Sequence, residues 1–160
     1  RTKQGALSSV TDRVLEKLYA ALGFGRTDYL NAIMGGFLIS MDVAHAMHPN
    51  HTEKCDIKNQ IFLGDDVAIK MAASQSYSTD ASCISVVEAI CKDSHIPYKK
   101  FSNRSDLKGG STLGALSSAL LSMKTVDVGV PILAMHSARE LMGTADQASL
   151  EALASKFFLV

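Results

Sequence analysis

Apolar residues at Leu7, Val10, Val14, Leu15, Leu18 and Leu22 recur at the three- and four-residue spacing of one helical face. Ser8 or Ser9 is placed to cap that helix and Gly23 to end it. Gly23 to Gly35 reads as a connection with a short helical turn around Tyr29 to Met34. The unbroken run Phe37 to Met41 predicts a buried strand that ends on Asp42. A polar stretch from His45 to about Gly64 follows, too long for a simple connection. Asp66 to Ala73 alternates: Val67, Ile69 and Met71 share one face, while Ala68, Lys70 and Ala72 share the other. That strand points Lys70 toward solvent or a cleft.

Thr79 or Asp80 can cap a helix running to about Ser94, with Ile84, Val87, Ile90 and Cys91 as its stripe. Tyr98 to Ser102 is a short strand. The glycine-containing loop Asp106 to Thr112 leads into a small-residue helix, Leu113 to Ser122, and Lys124 to Val130 is a further strand. Ser137 to Met142 reads as a short helix, and Asp146 to Val160 as an amphipathic one carrying Leu150, Leu153 and Phe157. Strands alternating with helices indicate an α/β sandwich around a central sheet.

Composition narrows this picture without changing it. The 160 residues suffice for one domain with a real core. Sixteen basic and sixteen acidic residues cancel, so no basic field argues for nucleic acid or a membrane surface. No apolar run approaches the roughly 18 residues that span a bilayer. Cys55, Cys83 and Cys91 are odd in number and lack a CxxC pair, which fits reduced thiols in a cytoplasmic protein.

Asp42 and His136 each follow an apolar strand-like run, and open α/β sheets place their chemistry at strand ends. Carboxylate and imidazole are zinc ligands, and a hydrolytic two-metal site wants both together with an open water position. The plainer alternatives are a turn cap for Asp42 and a satisfied, half-buried ring for His136. A helix through Asp42, His45 and His48 would put all three on one face as a local metal site. Pro49 and the preceding strand oppose that. Ordinary burial tendencies make Lys70 a solvated edge residue. The loop Gly109 to Gly114 offers backbone N–H groups at a helix start, an anion site, or else simply close helix–sheet packing. It lacks the Gly-Lys-Ser/Thr of a P-loop. Met41, Met47, Met71 and Met135 read as core filler.

Four stretches in order carry a family resemblance. They are Ser40-Met41-Asp42-Val43-Ala44-His45-Ala46-Met47-His48-Pro49-Asn50; Ile69-Lys70 through Ser76-Tyr77; Asn103-Arg104-Ser105-Asp106 through Gly110-Ser111-Thr112-Leu113-Gly114; and Ala134-Met135-His136-Ser137-Ala138-Arg139-Glu140. Together they resemble the aspartyl aminopeptidases, the M18 family of zinc metallopeptidases, over essentially the whole chain. The resemblance implies a three-layer, zinc-exopeptidase-like sandwich with a mostly parallel sheet, here incomplete. It implies two zinc ions, one bound by Asp42 and the other by His136. Asp42, His45, Lys70 and Tyr77 would bind substrate, the last two recognising an acidic N-terminal residue of a peptide, and Gly110, Ser111 and Thr112 would support the site.

The resemblance also places residues 1–160 in the C-terminal part of a catalytic domain. A first histidine ligand, a bridging aspartate and a Glu-Glu pair that includes the general base would lie upstream, as would a dimerisation domain. No catalytic base is therefore expected within this chain. Homo-oligomers, dodecamers in particular, are the implied assembly. A related zinc exopeptidase of other specificity, or a non-catalytic assembly fragment, stand as alternatives.

Overall fold

The computed structural model describes residues 2–5, 7–107 and 109–159. Lys108 of the glycine loop and Val160, the expected end of the last helix, lie outside the described residues. Helix α1 (Val10–Ala21) and helix α2 (Arg26–Gly35) pack as a pair, with Leu15 and Tyr19 against Tyr29, Ile33 and Leu121. The remainder of the α1 stripe, Val10, Val14, Leu18 and Leu22, is exposed. The short turn expected near Tyr29 is a full helix, because Asp28 Oδ2 accepts the Gly25 N–H at 2.8 Å and caps its first turn.

Strands β1 (Phe37–His45), β2 (Val67–Met71), β3 (Tyr98–Ser102), β4 (Lys124–Leu133) and β5 (Leu141–Met142) form one sheet in the order β1-β4-β2-β3, with β5 also on β4. The β1–β4 and β2–β3 pairs are parallel and supply most of the register; the β2–β4 and β4–β5 junctions are short and antiparallel. Helices α3 (Ala81–Asp93) and α5 (Thr144–Phe157) cover one face, where Val67, Ile69, Val126 and Val128 meet Val87, Ile90 and Leu153. Helix α4 (Leu113–Leu121) covers the opposite face over β1 and β4. Helices on both sides of a mostly parallel sheet make the three-layer α/β sandwich anticipated above.

Local chemistry accounts for the boundaries. Asp80 caps α3, its Oδ1 accepting from Cys83 N at 2.8 Å. Asp146 is fully buried and accepts from the backbone N–H groups of Gly64, Asp66 and Gly143 at 2.8–3.1 Å, pinning the end of the long loop to the start of α5. Strand β1 runs three residues past Asp42, because β4 accompanies it as far as the pair His45↔Ile132. Asp42 is therefore within a strand and not at its end.

Strand β4 likewise continues through Pro131. Ile132 O points to β1, where it accepts from Ala46 N at 2.9 Å, so the nitrogen of Pro131 faces the other side. On that side β2 has stopped at Gly129 and β5 begins at Ile132, so no ladder bond is forfeited. The helix expected over Ser137 to Met142 does not form. Leu141 and Met142 instead pair with Leu133 and Ile132, and the intervening residues turn back tightly. The methionines are less buried than expected, with Met41 38% exposed.

Candidate active site

Strand alternation places Ser40, Asp42 and Ala44 on the α4 face of β1, and the register sets Asp127 and Gly129 beside them on β4. Lys70 and Ala68 come onto the same face from β2, in register with Asp127 and Gly129. Phe101 of β3 stands beside Lys70. The site is thus built across the face of the sheet, with side chains arriving from strands that run in opposite directions.

Lys70 is the centre of it. Its side chain is 1% exposed, whereas that of Asp42 is 48% exposed. The ammonium donates to Val43 O at 3.1 Å, pairs with Asp42 Oδ2 at 3.7 Å, and lies 5.3 Å from the centroid of the Tyr77 ring. Burial lowers its pKa, and the charges of Asp42 and Asp127 oppose that shift. The expectation that Lys70 faces solvent or an open cleft is corrected: β2 is an interior strand, and Tyr77, Ile61, Ala44 and Phe101 cluster over that face.

Tyr77 is 6% exposed, and its phenol oxygen accepts from Asn103 Nδ2 at 3.0 Å. Burial raises its pKa, opposed by the Asn103 hydrogen bond. The segment after it is fastened from beneath by Asp127. Oδ2 of that fully buried carboxylate accepts from Ser78 N at 2.8 Å and Ser78 Oγ at 3.3 Å, and its backbone N–H donates to Thr79 Oγ1 at 2.9 Å. Oδ1 of Asp127 has no partner among the described residues. It faces Gly114 of α4, where a Cβ would lie 2.3 Å from it.

His45, at the end of β1, is exposed on its outer side, and its pKa is lowered by partial burial, then by His136 and Lys70. His136 is exposed in the tight return between β4 and β5, held at φ +69° with its N–H donating to Glu140 Oε1 at 2.5 Å. Thr112 is buried as the N-cap residue of α4, while Gly110 and Ser111 are exposed. A cleft of about 370 Å³ runs from His45 along Cys55, Asn103, Gly109 and Ala134. His48 turns inward on its own loop, accepting from Asn50 N at 3.1 Å, and His51 pairs with Glu53.

The structure therefore joins Asp42, Lys70 and Tyr77 in one contact chain and sets His45 within electrostatic reach of His136 and Lys70. The carboxylate and imidazole donors suit zinc in kind. In number they do not: among the described residues no three His, Cys, Asp or Glu side chains gather as a metal site. Asp127 is a component the sequence did not single out, and Asn103 one that stood in a family stretch without a role. A lone aspartate in an apolar strand was a weak signal for the first, and nothing periodic marks the second.

Residues 1–158 match the family model described as aminopeptidase I zinc metalloprotease (M18). A probable M18 family aminopeptidase 2 of Clostridium novyi is 49% identical over 145 residues, covering 91% of this chain and 34% of that protein. Among solved structures, a chain of the Ape4 and Nbr1 complex superposes with a TM-score of 0.91 at 34% identity, over 98% of this chain and 30% of that one. The S. cerevisiae mApe1 dodecamer superposes with a TM-score of 0.81 at 21% identity, over 99% of this chain and 34% of that one. The chain thus spans about a third of the length of the curated relatives it matches.

Proposed function

The chain belongs to the M18 family of aminopeptidases, and on that premise we propose that it contributes the specificity side of a dinuclear-zinc aminopeptidase that removes acidic residues from peptide N-termini. The observation that carries the reading is the buried Lys70 ammonium against Asp42 and the Tyr77 ring. A cation shielded from water acts on a carboxylate far more strongly than an exposed one. Val43 O takes one of its three donor directions, and Asp42 lies within ion-pair distance. The buried Tyr77 phenol beside it adds a hydrogen-bonding group for the same side chain.

Asp42 and His136 are the proposed zinc ligands, one for each ion, and the rest of the ligand set and the general base would come from other parts of the protein. Zinc, when bound, polarises a peptide carbonyl and acidifies its water. This chain's own residues would hold the substrate: His45 in the cleft lining, Lys70 and Tyr77 buried beside the cleft-lining Phe101, and the segment Gly110 to Thr112 before α4 in support. Assembly into a homo-oligomer, as in the mApe1 dodecamer, and a cytoplasmic location complete the proposal. No helix among the described residues is long and apolar enough to cross a membrane.

The test compares release of N-terminal Asp and Leu by the zinc-loaded protein and its Lys70→Met variant, which keeps the length of the side chain. The expected result is an Asp/Leu ratio of kcat/KM that falls at least about tenfold in the variant, the loss of one charge-assisted contact. Equal release of Asp and Leu by the wild type would favour a zinc exopeptidase of other specificity. A preserved ratio in the variant would remove Lys70 from recognition.

A further inference from the structure

We propose that the outer edge of β1 and the uncovered apolar stripe of α1 form one docking surface. Its occupant is a strand of this same protein, supplied by polypeptide upstream of these 160 residues and running parallel to β1. The surface is independent of the substrate assigned above.

β1 stands first in the sheet order, so among the described residues one side of this nine-residue strand has no partner. Successive backbone N–H groups of a strand point to opposite sides. With β4 on one side, every second N–H of β1 faces the open one. Open edges invite pairing, and proteins guard them with lysine or proline. The far edge of the sheet is guarded in this way: β3 carries Lys99 and Lys100, paired with Asp65 and Glu88. β1 contains neither residue type, and Phe37, Leu38 and Ile39 lie half-buried along it. It has the composition of an interior strand and lacks one neighbour.

α1 lacks the same neighbour. It is anchored beside α4 through Tyr19, Tyr29 and Leu121, and that cluster holds no strand residue among the described ones. Val10, Val14, Leu18 and Leu22, four residues apart on one row, stay exposed. An apolar stripe of this kind is what a helix lays against a core.

Handedness locates the missing strand. Connections between parallel strands of one sheet share the same hand in about 98% of cases. The connection β2–α3–β3 crosses the α3 face and advances outward, from β4 toward the β3 edge. β1 runs opposite to β2, and α1 and α2 lie on the opposite face, with α4; the two reversals cancel. A parallel strand that feeds β1 through α1 and α2 therefore lies outside β1, on its open edge. Residues 2–5 and 7–9 hold no strand, which places it further upstream. There is chain to supply it: these residues cover only 34% and 36% of the two Clostridium relatives.

The experiment uses the zinc-loaded full-length protein, both unmodified and with the photo-crosslinking residue benzoylphenylalanine placed at Val14 or at Leu18. Hydrogen exchange of the unmodified protein, read by fragment-resolved mass spectrometry, should find every amide from Leu38 to Met41 slowed at least about a hundredfold against an unstructured peptide. Irradiation should join position 14 or 18 to the roughly 30 residues directly upstream, within one polypeptide. Alternating fast and slow amides between Leu38 and Met41 would show an open edge and overturn the proposal. A cross-link between two chains, seen as a doubled mass in a denaturing gel, would make the surface a subunit interface and overturn it too. A cross-link to any other part of the same chain, or none at either position, would remove the crossover through α1 and with it the assigned occupant.

Discussion

Replacing Gly114 with alanine sets two physical effects of opposite sign against each other. Gly114 lies in the first turn of α4, and alanine is favoured over glycine inside a helix by about 1 kcal/mol. Helix propensity alone therefore predicts a more stable protein. The packing predicts the reverse. A Cβ at Gly114 would lie 2.3 Å from Asp127 Oδ1 and 2.7 Å from Ser40 Cβ, and both neighbours stand on adjacent strands at the centre of the sheet. Overpacking of this kind costs about 1–3 kcal/mol.

A shift of Asp127 would also strain the bonds it accepts from Ser78, and an unmade bond to a buried carboxylate adds about 1–3 kcal/mol. The net expectation is destabilisation by about 1–5 kcal/mol, or a Tm lowered by roughly 2–20 °C for a domain of this size. Differential scanning calorimetry measures it. Gly35→Ala in α2 is the control, because a Cβ there meets nothing within 4 Å. Its Tm should stay level or rise by a few degrees. If Gly114→Ala behaves like Gly35→Ala, the close packing of α4 on Asp127 is refuted.

Two further expectations concern the helix cap and the thiols. Asp80→Ala should cost about 1 kcal/mol at neutral pH by urea unfolding, as for other N-caps. The Cys83 N–H bond lowers the Asp80 pKa below its unfolded value, so this stabilisation is present above about pH 4 and is lost as pH falls through the folded pKa; a deficit unchanged at pH 2 would contradict it. At pH 8 iodoacetamide should modify half-buried Cys55 first, because Cys83 and Cys91 are fully buried and burial raises the Cys91 pKa to about 11. Equal labelling of all three thiols under native conditions, read by mass spectrometry, would show that α3 does not hold its core contacts.

Local chemistry made some of this legible in the sequence. Tyr98–Ser102, the Asp80 cap and the two faces of β2 rest on period and on one side chain reaching its own backbone, and the structure keeps them. What was missed depends on partners far along the chain. Ser137 to Met142 looks helical until β4 is there to pair with Leu141 and Met142. Lys70 looks solvated until β3, β4 and the cluster around Tyr77 enclose it. Asn103 opens one of the family stretches but had no legible role, because its contacts, Tyr77 and Cys55, lie 26 and 48 residues away. The family motifs named Asp42 and His136, yet spacing alone cannot say whether two ligands meet a third.

The two parallel strand pairs are joined by only three residue pairs, Ala68↔Gly129, Ile69↔Val128 and Lys70↔Asp127. Hydrogen bonds alone would specify so short a seam weakly, since sliding by one residue forms nearly as many. Sliding also turns every side chain of β2 over. Lys70 would then leave Asp42 and Asp127 and enter the aliphatic layer of Val87, Ile90 and Leu153, an unpaired charge among hydrocarbon. The lysine is thus an alignment key: a sheet joined out of step would carry an unpaired buried charge at a cost of several kcal/mol, whereas the native register gives that cation its carboxylate partner.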